Sequence, residues 1–181
     1  MKNLMNMNIK NFLDKASSKS PVPGGGSASA LAGAMSAALV SKVCCLTIGK
    51  KGYEKVQKEI KQILKESEKI KKILMDLTTK DSRAYLEVIK SYKSKRRQSI
   101  EAPLKQAAKI PLDTCFFSKA VLNLAERAVR IGNKQAVSDA KVAYFLAASA
   151  IKGALENVKI NLVLIKDERF KKEMSEKMKK M

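Results

Sequence analysis

Between Gly24 and Ala38, 13 of 15 residues are Gly, Ala or Ser, and only Leu31 and Met35 are larger. A helix with so little side-chain bulk has little apolar surface of its own to bury. It fits best where a neighbouring backbone or a flat ligand comes close enough to use the missing volume. The preceding Pro21-Val22-Pro23-Gly24-Gly25-Gly26 cannot propagate a helix. Ser27 is therefore the expected N-cap, with the helix over about residues 27–48 and Gly49 and Gly52 stopping it.

The rest of the chain has helical periodicity, with no sustained period-two alternation and no internal repeat. A short helix is expected over residues 5–16 and a long one over 53–90. In the long one Val56, Ile60, Ile63, Ser67, Ile70, Leu74, Leu77, Asp81, Ala84 and Val88 step alternately by four and three, forming one seam. Only Ser67 and Asp81 are polar there, and a carboxylate in a seam is costly to bury unpaired. A basic turn over 93–98 leads to a helix over 99–130, with Pro103 in its first turn and a kink expected at Pro111. Gly132-Asn133 should end it. A fifth helix is expected over 136–165, capped by Ser138, and a short charged one over 167–180. The fold expected is all-α: one domain over residues 1–181, a bundle of five to six helices with two long ones. Helices of ~30 residues run ~45 Å, longer than a globule of this size is wide. Part of the long seam is thus expected to pack on a second copy in a homodimer.

Composition narrows the chemistry. The chain has no His, which removes Ser-His and Cys-His nucleophile arrangements and leaves acid–base work to a carboxylate, Lys, Tyr or Cys. Cys44, Cys45 and Cys115 have no CxxC spacing and read as reduced and structural, so no metal site is expected. The net charge of +20 means either an anionic partner or only a Lys-rich proteome. Nucleic acid is disfavoured as that partner, because the charge is spread along the chain, aromatics are few and no binding motif is present. The most apolar stretch, 27–48, is mostly small residues and carries Lys42, which argues against a membrane span. With no leader pattern, a soluble, cytoplasmic protein is expected.

Several residues carry chemistry or have a plainer explanation. Pro23-Gly24-Gly25-Gly26-Ser27 running into a helix offers free N–H groups to an anion or carbonyl, or is only a flexible loop and a cap. Asp81 is either a structural acid paired with Lys or Arg, or a general acid/base tuned by burial. Asn157 and Asn161, one turn apart, either satisfy nearby backbone or read the amide edges of a pterin with donors and acceptors. Asn133 and Asp139 are more simply read as caps than as ligand-binding residues. Lys50 and Lys51 sit favourably at a helix C-terminus for dipole reasons alone.

Taken together, Pro21 to Ser27, Leu46-Thr47-Ile48-Gly49-Lys50-Lys51-Gly52-Tyr53, Asp81-Ser82-Arg83-Ala84-Tyr85, Gly132-Asn133 with Ser138-Asp139, and Asn157-Val158-Lys159-Ile160-Asn161-Leu162 resemble the cyclodeaminase/cyclohydrolase family. This is the all-α domain found alone in bacteria and as the C-terminal half of formiminotransferase-cyclodeaminase. The resemblance implies dimers or higher assemblies and a folate site with no metal or redox cofactor. A tetrahydrofolate derivative would be the substrate. Its acidic motif falls on Asp81, which it makes the catalytic residue. Pro23, Gly24, Gly25, Gly26, Ser27, Thr47, Lys50, Lys51, Asn133, Asp139, Asn157 and Asn161 become the substrate-binding set. Methenyltetrahydrofolate cyclohydrolase is the activity favoured, because no transferase domain is present to pass on a formimino group. Formiminotetrahydrofolate cyclodeaminase is the alternative, and a non-catalytic basic helical protein binding nucleic acid or folate is the rival of another class. The sequence differs from the family pattern at Thr79, where many relatives carry an acid, at Lys42-Val43, and in the basic stretch from Ser91 to Arg97.

Overall fold

The computed structural model describes residues 3–93 and 100–181. Among them are six α-helices and no strand: α1 (Ile9–Ala16), α2 (Gly25–Cys45), α3 (Gln57–Lys93), α4 (Glu101–Ile131), α5 (Val137–Val163) and α6 (Glu168–Met178). Short 3-10 turns, Leu4–Asn6, Glu54–Val56 and Lys134–Ala136, precede α1, α3 and α5. The all-α expectation holds, and the two longest helices are α3 and α4.

The small-residue helix α2 is the centre of the bundle and packs against α3, α4 and α5. Its buried Ala30, Ala34, Ala37 and Val40 belong to one core cluster with Ala140 and Ala143 of α5. Further along α5, Ala147, Ala150 and Ala154 are also buried. Two alanine faces let the helix axes approach toward the short end of the ~8–10 Å range. Ser36 is then near enough to donate to the backbone carbonyl of Ala143, 2.6 Å away on α5. Each buried methyl adds only ~0.8 kcal/mol, so the packing relies on their number.

Against α3 the register is set by the seam's two polar members. Ser67 meets Ser41 of α2 hydroxyl to hydroxyl at 2.8 Å, and Asp81 accepts from Ser27 of α2 at 2.8 Å. Fourteen residues separate the two partners on each helix, so α2 and α3 run antiparallel in register over four turns.

Several local expectations are corrected. The first helix is split, with Asn8 capping α1 through the Asn11 N–H. Ser27 is not the N-cap: α2 begins two residues earlier, Gly24 is the cap, and Ser27 is buried in the first turn. Ser138 is not a cap either. Asn133 caps the turn before α5, and the α5 N-cap, Ala136, makes no side-chain bond. Lys93 closes α3, and the rest of the basic turn lies outside the described residues. As expected, Pro111 lies within α4, which ends at its C-cap, Gly132.

The seam of α3 is buried within one chain from Ile60 to Val88, apart from partly exposed Ile70 and Asp81. An exposed apolar face lies on α2, where Ala28, Met35, Ala38 and Cys45 are on the side away from the core; Phe116 of α4 and Val142 and Phe145 of α5 are exposed as well. By length and composition alone α2 could cross a membrane, contrary to the reading of its stretch as too weakly apolar. Its place at the core of the bundle accounts for that composition.

Candidate active site

At the N-terminal end of α2 the glycine loop, α3, α4 and α5 enclose a cavity of about 260 Å³. Drug-sized ligands occupy roughly 300–1,000 Å³, so this space suits a bicyclic head group rather than a whole elongated cofactor. Its floor is Gly24, Gly25 and Gly26, and Asp81 projects into it from α3. Tyr85 and Ile160 stand at its rim, exposed, and Asn157 and Asn161 line the α5 wall.

Asp81 lies directly against the first turn of α2. A Cβ on Gly26 would overlap its carboxylate oxygens, so only glycine admits the acid there. Its Oδ2 accepts from the Ser27 hydroxyl at 2.8 Å, and the Ser27 backbone N–H also supports the carboxylate. The acid therefore occupies the acceptor place at the helix N-terminus that Ser27 was expected to fill. No cation pairs with it among the described residues. Burial is the dominant influence and raises its pKa above the ordinary carboxylate range, against the lowering effect of the Ser27 hydroxyl and N–H. A raised, unpaired carboxyl on a cavity wall is suited to exchanging a proton with a ligand.

The asparagines are placed by a proline fifty residues away. Pro111 has no N–H, so the Ala107 carbonyl one turn earlier in α4 loses its helical donor. Asn161 supplies the replacement through Nδ2 at 3.0 Å, and gives its other N–H to the Asn157 carbonyl at 2.8 Å. Asn157 Nδ2 bonds the Gly153 carbonyl at 2.8 Å and lies close to Gly25. Most of the amide donors are thus spent on backbone. The side-chain oxygens make no hydrogen bond among the described residues, so with the second Asn157 N–H they form a fork that is mostly acceptor.

The remaining expected residues sit elsewhere. Pro23 is buried outside the cavity wall. Thr47, Lys50 and Asn133 are knotted at the other end of α2, ~30 Å away along the helix. Thr47 Oγ1 accepts the Asn133 N–H at 2.9 Å, Asn133 Nδ2 donates to the Leu46 carbonyl at 2.9 Å, and Lys50 donates to Asn133 Oδ1 at 3.1 Å. Asp139 pairs with Lys42 at 3.0 Å near the same end, and Lys51 is exposed on the turn. Within one chain these residues do not share the cavity with Asp81.

Two neighbours of Asp81 were not singled out from the sequence. Ser82, fully buried, touches the Ser27 hydroxyl at 2.9 Å, and Tyr85 is one turn beyond Asp81 on the same face. A hydroxyl directly after the seam acid was the available signal. Thr79 is turned away from the cavity: it donates to Asn3 Oδ1 at 2.7 Å and accepts the Leu4 N–H at 3.1 Å, anchoring the N-terminal turn.

A larger groove of about 690 Å³ lies between α4 and α6, lined by Leu112, Phe116 and Met181 with Lys119, Lys177 and Asp113 around them. Burial raises the Asp113 pKa, opposed by Lys80, Lys109 and Lys177. Nothing there fixes a carboxyl by hydrogen bonds as Ser27 fixes Asp81, so size alone does not make it the reactive site. Burial also pushes the Cys44 and Cys115 thiols up to about 12, which keeps them protonated and inert, while Cys45 is exposed. Among the described residues no group of three His, Cys, Asp or Glu side chains could hold a metal ion.

The Formiminotransferase-cyclodeaminase family model matches residues 8–180. A methenyltetrahydrofolate cyclohydrolase of Methylorubrum extorquens is 39% identical over 177 residues, covering 93% of this chain and 85% of the relative. A formimidoyltransferase-cyclodeaminase of Dictyostelium discoideum is 33% identical over 171 residues, of which this chain spans only 32% of the length. The crystal structure of a formiminotetrahydrofolate cyclodeaminase from Thermotoga maritima superimposes with a TM-score of 0.92 at 35% identity, over 98% of this chain and 89% of that one. The chain belongs to the formiminotransferase-cyclodeaminase family.

Proposed function

We propose that the protein is a methenyltetrahydrofolate cyclohydrolase, converting 5,10-methenyltetrahydrofolate to 10-formyltetrahydrofolate, with Asp81 as its acid–base group. The observation that carries this reading is a raised, cation-free carboxyl on the wall of a cavity sized for a bicyclic ring. The cyclohydrolase relative, covered over most of its length, supports this activity over the cyclodeaminase one. We read the whole chain as one cytoplasmic domain.

The bridging carbon of the substrate is an amidinium-like cation, which an ionised Asp81 stabilises by charge. Water adds to that carbon and one of its protons passes to Asp81. The resulting carbinolamine collapses: its hydroxyl loses a proton to solvent, the C=O forms, and the carbon–N5 bond breaks. Asp81 returns its proton to N5 and is regenerated. The acceptor edge of Asn157 and Asn161 receives the pterin N–H groups, and the N–H groups at Gly25 and Gly26 face the bridge or its oxygen.

The residues at the far end of α2 enter through a second copy. Met35 is midway along the exposed apolar face of α2, and Ala28 and Lys42 lie seven residues to either side. An antiparallel pairing about Met35 brings the Thr47–Lys50–Asn133 end of one copy, with Lys51, Asp139 and Lys42, beside the glycine end of the other. Lys50 and Lys51 then face the anionic glutamate tail of the folate. Met35→Arg should give a monomer by light scattering and strip most of the activity; a fully active monomer would remove the pairing.

A cyclodeaminase uses the same parts, with N10 attacking the formimino carbon and Asp81 protonating the departing ammonia. Offering purified protein each substrate separately, following the methenyl absorbance and ammonia release, decides between them. Loss of the methenyl band above the spontaneous rate is expected. Ammonia release from formiminotetrahydrofolate with no methenyl hydrolysis would overturn the cyclohydrolase reading.

A further inference from the structure

We propose that Ser82 is a positioning residue for the reaction: through Ser27 it holds the Asp81 carboxyl in place and lets it gain and lose a proton without breaking its hydrogen bond. The inference rests on Asp81 being the acid–base group. Ser82 and Ser27 are each 0% exposed, so no water competes for either hydroxyl. Ser82 follows Asp81 directly on α3, and the two side chains leave the helix ~100° apart. Ser27 of α2 fits between them, 2.8 Å from Asp81 Oδ2 and 2.9 Å from Ser82 Oγ.

Donor counting sets the direction of this chain. An ionised carboxylate only accepts, and a serine has one proton to give. While Asp81 is ionised, the Ser27 proton must point at Oδ2. The contact between the serines is then Ser82 donating to Ser27. A proton arriving from the cavity goes to the carboxyl oxygen that Ser27 does not hold. Oδ2 keeps accepting from Ser27 in both states, and no heavy atom moves. Among the described residues Ser27 has no side-chain partner other than Asp81 and Ser82. Without Ser82 the Ser27 oxygen loses its buried donor and gives Oδ2 a weaker hydrogen bond, so the ionised carboxylate is held less well.

The chain ends inside the protein, so it does not deliver protons. The proton itself comes and goes on the cavity side. The groups lining the cavity there are Tyr85 of α3, Asn157 and Asn161 of α5, Ala107 of α4 and the glycines of α2. They include no cation and no second carboxyl. The acid limb of the rate profile therefore reports Asp81 alone.

The test is steady-state turnover of 5,10-methenyltetrahydrofolate, corrected for its spontaneous hydrolysis, by the full chain and three variants over pH 5–9. Ser82→Ala should lower kcat about tenfold with KM unchanged, and move the acid limb of kcat upward by about half a pH unit to one unit. Ser82→Thr, which keeps the hydroxyl, should restore most of both. Should Ser82→Ala not fold, Ser82→Cys keeps the volume with a poor donor and is read in the same way. An unmoved pH limb in the hydroxyl-free variant, or a folded Ser82→Thr no better than it, overturns the inference. Asp81→Asn in parallel separates the two claims. If it keeps the wild-type rate, the acid–base reading falls first. If it is inactive while Ser82→Ala is normal, only the role of Ser82 falls.

Discussion

At its N-terminal end α2 meets Asp81, Ser27, Asn157 and Asn161; at its C-terminal end it meets Thr47, Lys50, Asn133 and Asp139. The two ends are built from similar residue types. At the far end Asn133 uses both its amide groups and its backbone N–H on neighbours, and Lys50 bonds both Asn133 and Gln135. At the glycine end the asparagine oxygens and one side of the Asp81 carboxyl are left over, and they face a cavity. A saturated polar cluster holds turns together, whereas one with spare valence and a raised carboxyl can bind and react. This contrast is what supports the proposal that the chemistry is done at the glycine end.

Substitutions can break this division or sharpen it. Outside Asp81 itself, the largest effect is expected from Gly26→Ala, whose methyl would overlap the Asp81 carboxylate. Displacing a reacting group by ~1 Å costs about 10²-fold, so kcat should fall by about that much while circular dichroism stays helical. Asn133→Ala should act in the opposite way, leaving the Leu46 carbonyl and the Gln135 N–H short of partners and taking one of the two acceptors of Lys50. Denaturant unfolding should show a loss of about 1–3 kcal/mol, with kcat per folded molecule little changed.

Asn161→Ala should raise KM about tenfold, as expected for one lost ligand hydrogen bond and a loosened wall. Pro111→Ala should raise it less, by restoring an N–H that competes with Asn161 for the Ala107 carbonyl. Equilibrium binding of a tetrahydrofolate derivative to both variants checks the order. A Pro111→Ala effect larger than that of Asn161→Ala would break the link between them.

The smallest effect concerns stability and pH. Burial holds the Asp81 carboxyl above its ordinary range, so the unfolded chain gives up this proton at lower pH than the folded one. The folded state is favoured below the ordinary carboxylate range and loses that advantage as pH rises through the raised folded value. Asp81→Asn removes the cost of the buried charge. Its Tm should exceed that of the wild type by about 2–6 °C at pH 8, with the gain shrinking as pH falls toward the ordinary carboxylate range.

Much of this was legible before any coordinates. Asp81 stood out because a 4-3 seam of aliphatic residues held one carboxylate, and its place beside the glycines follows from α2 and α3 running antiparallel. The run of small residues announced a close neighbour, and α5 supplied one with its own alanine face. Ser27 was misassigned for a physical reason. A serine before an alanine run looks like a cap, but three glycines let the helix start earlier, and an acid from another helix took the capping place. The asparagine edge was only half legible, because its donors are committed by a proline on a different helix. The separation of Thr47, Lys50 and Asn133 from the cavity was implicit in a 21-residue helix lying between the motifs. What no local pattern carries is whether a second copy closes that distance.

The most direct measurement is a single-turnover decay of the methenyl band with enzyme in excess, comparing the wild type with Asp81→Asn, alongside binding of the substrate to each. Retained binding with a rate lowered about 10²–10⁴-fold is the expected result. A wild-type rate constant in the asparagine variant would contradict the assignment of the chemistry to this carboxyl.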